Sequence, residues 1–116
     1  MYTAYLIVTV TTIAANAVIA VLDLARVPWV LGNSAAVNVD PSWVPLLGVL
    51  KAAGALGLLL GIAGIPYVGL AAAIGLVLFF LGALVAHVRA GVFHNIAAPG
   101  AYFALAVASA VLAAGR

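Results

Sequence analysis

The chain has 116 residues, of which 69 % are hydrophobic and 5 % charged, with a formal net charge of +2. An ordinary soluble domain is about half apolar and about a quarter charged, so a water-soluble fold has too few polar groups to cover this surface. The four basic side chains cannot build the clustered stripe of a nucleic-acid surface, and the absence of cysteine removes disulfides, thiolate metal ligation and thiol redox chemistry. What remains is an integral membrane protein, with lipid as its immediate partner.

A helix needs about 20 apolar residues to cross about 30 Å of hydrocarbon. Four runs meet this, at residues 3–24, 43–62, 66–87 and 98–114. They predict an all-α, four-helix transmembrane bundle over residues 1–116 as one domain, with both termini on the same side. No Lys or Arg precedes the first run, so a cleaved signal peptide is not expected. The first connection, residues 23–45, carries Pro28, Pro41 and Pro45, which disfavour continuous helix, and room for a short interfacial helix. Trp29 and Trp43 fall near its ends, where an aromatic belt places them. In "AGIP", Gly64 suits a helix end and Pro66 a helix start. The last connection holds Arg89, His94, Asn95 and Pro99. Arg26 and Arg89 fall on one face of the membrane and Arg116 on the other, an imbalance too small to set orientation by the positive-inside rule.

The second run contains "GVLKAAGALGLLLG", thirteen small or aliphatic residues and Lys51. Steps of three and four put Lys51, Gly54, Gly57, Gly61 and Gly64 on one face. Gly57 and Gly61 have the spacing that lets membrane helices approach closely, and Gly75 and Gly82 on the third run are read as packing residues of the same kind. Lys51 therefore lies on a packing face, roughly 12 Å into its helix from Trp43. Asp23 ends the first run and Asn16 lies two turns before it. His87 and Arg89 end the third run, and Tyr102 lies about one turn into the fourth. These groups converge on one half of the bundle, leaving the other half only Thr3, Thr9, Thr11, Thr12, Tyr67 and Ser109. Asp23 is the one acid at a span, so an Asp23–Lys51 ion pair is expected, with His87 close enough to share it. Asn16 reads as an interhelical hydrogen bonder. Lys51, His87, Asp23, Tyr102 and Asn16 are the candidate ligand-binding residues. No nucleophile–base pair, phosphate loop or metal motif is present, so no catalytic residue or metal ligand is assigned.

The segments at residues 41–61 ("PSWVPLLGVLKAAGALGLLLG"), 64–66 ("GIP") and 71–91 ("AAAIGLVLFFLGALVAHVRAG") resemble the DoxX-like family of small bacterial four-helix membrane proteins. Lys51 and the His-x-Arg of His87 and Arg89 are the most specific points of likeness. That family takes its name from a subunit associated with an archaeal thiosulfate:quinone oxidoreductase. The resemblance thus implies a multi-pass protein of the bacterial inner membrane, a non-catalytic subunit or scaffold of a respiratory or redox complex; no cofactor is expected. It transfers no catalytic residue set. Partner subunits or homo-oligomers are expected, because glycine-rich faces favour close helix association. The alternative is a quinone- or lipid-binding protein, or an isomerase-like enzyme, with Lys51 and His87 orienting a head group and a bound lipid or quinone in the pocket. A solute transporter is less favoured, because each span is continuous.

Overall fold

The computed structural model describes residues 2–115; Arg116, used above in weighing orientation, lies outside them. Five helices follow one another: α1 (Tyr2–Leu24), α2 (Pro28–Ala36), α3 (Val44–Ile62), α4 (Pro66–Ala90) and α5 (Ala97–Ala114). All but α2 are long and apolar enough to cross a membrane. The chain is accordingly a multi-pass membrane protein. The short α2 fills the first connection, and a single 3₁₀ turn (Pro41–Trp43) leads from it into α3. Trp29 and Trp43 are both exposed beside these elements.

The helix boundaries have local causes. Pro28, Pro45 and Pro66 each stand in the first two positions of a helix, where a missing N–H removes no intrahelical bond. Pro99 sits in the first turn of α5 for the same reason. Four helix ends close with a backbone N–H reaching five residues back: Val27 to Leu22, Val39 to Ser34, Ile65 to Leu60 and Val92 to His87. This closure needs a left-handed residue just before the last donor. Gly64 and Gly91 fill that role on α3 and α4, whereas Arg26 and Asn38 fill it on α1 and α2. Helix α4 runs three residues past His87, the expected end, because Gly91 is the first residue there that adopts this conformation without a side-chain penalty.

The four long helices form a closed ring of contacts, α1 on α3, α3 on α4, α4 on α5 and α5 on α1. The α3–α4 seam is close-packed through glycine. A Cβ built on Gly54 would stand 2.6 Å from the Leu76 side chain, one on Gly57 2.6 Å from the Ala72 Cβ, and one on Gly61 2.6 Å from the Gly69 Cα. These distances are inside van der Waals contact: at Gly57 and Gly61 the neighbour is a Cβ or backbone atom that cannot turn away, whereas at Gly54 it is the end of the Leu76 side chain. Gly48 does the same service on the α1 side, where a Cβ would lie 2.8 Å from the Asp23 Cβ. Gly75 and Gly82 correct the sequence expectation: a Cβ on either meets nothing within 4 Å. The inward face of α4 is Gly69, Ala73, Leu76, Phe80 and His87, and neither glycine falls on it.

The interior has two characters. Leu58, Ala73, Leu76, Phe80 and Ala106 form an apolar cluster between α3, α4 and α5. The buried face of α1 is instead Tyr5, Thr9, Thr12, Asn16, Ala20 and Asp23. Meanwhile Ile7, Val10, Val18 and Val21 of α1 are exposed, as suits a surface whose solvent is hydrocarbon. Polar side chains are placed inward because lipid offers them no hydrogen bonds.

Candidate functional site: a buried ion pair on a polar helix face

Lys51 and Asp23 meet where α1 ends and α3 has made about two turns. The Lys51 Nζ donates to Asp23 Oδ2 at 2.7 Å. Both residues are buried, with side chains 11 % and 5 % exposed respectively. Gly48 makes this approach possible by letting the α3 backbone come against Asp23 and Leu24. The ammonium also lies 5.3 Å from the centre of the Phe79 ring, within the range of a cation–π contact. An ion pair of this kind recovers in Coulomb attraction much of what desolvation costs, and removing one partner leaves an uncompensated charge.

The other expected site residues are placed separately. His87 is buried, and its Nδ1 donates to the Ala83 carbonyl at 2.8 Å. A carbonyl can only accept, so that bond places the proton on Nδ1 and ties this nitrogen to its own helix, where sharing of the ion pair was expected. Tyr102 donates its hydroxyl to the Ala15 carbonyl at 3.0 Å, tying α5 to α1, and its ring packs against Phe80. Asn16 is fully buried, but its Nδ2 donates to the Thr12 carbonyl of its own helix at 3.0 Å and its Oδ1 has no partner. It makes no interhelical hydrogen bond. His94 is exposed in the turn after α4. Among the described residues no three His, Asp or Glu side chains come together as a metal site.

Residues to which the sequence reading gave no role hold the bundle together elsewhere. The Thr12 hydroxyl lies 2.8 Å from that of Ser109, a buried link between α1 and α5. The α1 positions Tyr5, Thr9, Thr12, Asn16 and Asp23 follow one another at steps of four, three, four and seven, the spacing of a single helical face. That spacing was the available signal. It shows the polar interior running along most of α1, where one polar half was expected. Phe79 serves as the floor beneath the Lys51 ammonium.

An open groove of about 660 Å³ runs along the α3–α4 seam, lined by small residues such as Ala53, Gly57, Ala71 and Gly75, with Leu50 and Phe79 toward one end. Phe79 thus stands between the groove and the ion pair. Chemically the arrangement offers one neutralised charge pair, a histidine tied to its own helix through Nδ1 and an apolar cleft.

No curated protein and no solved structure matches the chain. The family model described as DoxX-like matches residues 7–109, a stretch that covers α3 and α4 entirely and most of α1 and α5, with the Asp23–Lys51 pair and the glycine seam. The chain belongs to the DoxX-like family.

Proposed function

We propose that this protein is a non-catalytic subunit, a helical scaffold that packs against other chains in a respiratory or redox assembly of the bacterial inner membrane. The observation that carries the reading is the closure of Lys51 on Asp23. The buried Lys51 and Asp23 charges neutralise each other. The Gly- and Ala-lined groove along α3–α4 supports it further, since small residues on a lipid-facing surface admit a neighbouring helix closely. The redox setting rests on the family likeness alone.

The second reading is a lipid- or quinone-binding protein. It is favoured by one feature, the position of Phe79 between the groove and the Lys51 ammonium. An acyl or isoprenoid chain in the groove would end near that charge. Native mass spectrometry of protein released gently from its own membrane separates the two. The scaffold reading expects partner chains in fixed stoichiometry. A homo-oligomer or monomer retaining one small molecule per chain would overturn it in favour of the second.

A further inference from the structure

The buried face of α1 contains two polar atoms that the protein does not satisfy. Asn16 Oδ1 and Thr9 Oγ1 are each buried without a hydrogen-bond partner, and both residues are 0 % exposed. The midpoint of α1 is Ile13. Thr9 therefore lies about 6 Å to one side of it and Asn16 about 4.5 Å to the other, at 1.5 Å per residue. This is the depth at which hydrocarbon supplies no hydrogen bonds.

For Asn16, an amide flip does not remove the deficit. Exchanging the Asn16 amide oxygen and nitrogen would set Oδ1 against the Thr12 carbonyl, acceptor against acceptor, and lose the 3.0 Å bond. Thr11 and Thr12 donate back to the carbonyls of Ile7 and Val8 in their own helix, whereas the Thr9 hydroxyl makes no bond of that kind. Between the two atoms stands the Thr12–Ser109 hydroxyl pair, whose oxygens retain acceptor capacity. The file of polar groups is Thr9, Thr12 with Ser109, and Asn16, flanked by Tyr5 and Asp23 on the same buried face.

We propose that the bundle interior along α1 binds ordered water, with one site at Asn16 Oδ1 and a second at Thr9 Oγ1. The two residues are seven positions apart, about 10.5 Å along the helix, so a single molecule cannot serve both. Water is the occupant whose chemistry matches, because it donates to the amide oxygen and both donates to and accepts from the hydroxyl. Buried waters are found where polar groups would otherwise be unsatisfied. The inference is independent of the scaffold reading, because it concerns the interior and not the surface.

The test is water-edited solid-state NMR on the full chain in bilayers of deuterated lipid, the protein being deuterated except at Asn, Thr and Leu. Water is the probe. Magnetisation from water is expected to reach Asn16 Cγ and Thr9 Cβ as fast as it reaches exposed Asn38. Build-up no faster than at Leu76, in the apolar cluster, would overturn the proposal. A second measurement uses Thr9→Val, which removes the hydroxyl at nearly constant shape. A hydrated hydroxyl predicts a lower melting temperature for the variant. A higher one would mark the hydroxyl as dry and unsatisfied, and would equally overturn the proposal.

Discussion

Alanine at position 61 separates the tight seam from glycine's other effects. In Gly61→Ala the new methyl would stand 2.6 Å from the Gly69 Cα, a backbone atom that cannot rotate away. Ordinary carbon contacts are about 3.5–4.0 Å, so α3 and α4 must part by about 1 Å or bend. Overpacking of this kind costs about 1–3 kcal/mol. Alanine also returns about 0.8–1 kcal/mol of helix propensity over glycine, which partly hides the clash. Gly75→Ala carries the same propensity gain on α4 and meets nothing within 4 Å. Comparing the two cancels propensity, so Gly61→Ala should be about 1–3 kcal/mol less stable than Gly75→Ala. Reversible unfolding in mixed micelles, followed by circular dichroism against denaturing detergent, measures that difference. Equal stabilities, or Gly61→Ala the more stable, would refute the claim that the glycine seam fixes the α3–α4 distance.

Other expectations follow from the same geometry. Arg26 is left-handed at φ 54°, a conformation that costs an L-residue roughly 1–2 kcal/mol; Arg26→Gly should raise the melting temperature, and Gly91→Ala should lower it. Replacing Thr12 by Val and Ser109 by Ala should each cost about 0.6 kcal/mol, the usual worth of an interhelical hydrogen bond in a membrane protein, and the double variant should cost less than the sum. Asp40 accepts the Ser42 N–H at 2.9 Å, and this bond holds its carboxyl below the ordinary carboxylate range. The folded value is the lower one, so the turn is fully supported above the ordinary value and loosens as pH falls through the folded value. Amide exchange at Ser42 should accelerate in that acid window, and Asp40→Asn should abolish the pH dependence.

Much of the fold could be read from the sequence because hydropathy, proline and glycine act locally. The four apolar runs became the four long helices, and Gly64 ended α3. The charged contact was also legible, since Lys51 lay on the glycine face of its span and Asp23 was the one acid at the edge of another. What escaped depended on helix rotation. Gly75 and Gly82 are seven apart, as inward residues often are, yet Leu76 and Phe80 set the inward face of α4 and turn both glycines outward. A glycine carries no side chain to reveal its direction, so spacing alone could not decide. His87 escaped for a different reason: an imidazole can satisfy itself on the carbonyl four residues back, and Ala83 offered one. The polar face of α1 was written in its spacing but divided by depth into two halves, which concealed its continuity.

The central claim is that Lys51 and Asp23 serve each other and thereby the bundle. A double-mutant cycle with Asp23→Leu and Lys51→Met, read as unfolding free energy in mixed micelles, tests it most directly. Each single change strands a buried charge and should cost about 3–5 kcal/mol, whereas the double change, which removes both charges, should approach wild-type stability. Additive losses in the double variant, or a Lys51→Met protein as stable as wild type, would contradict the account.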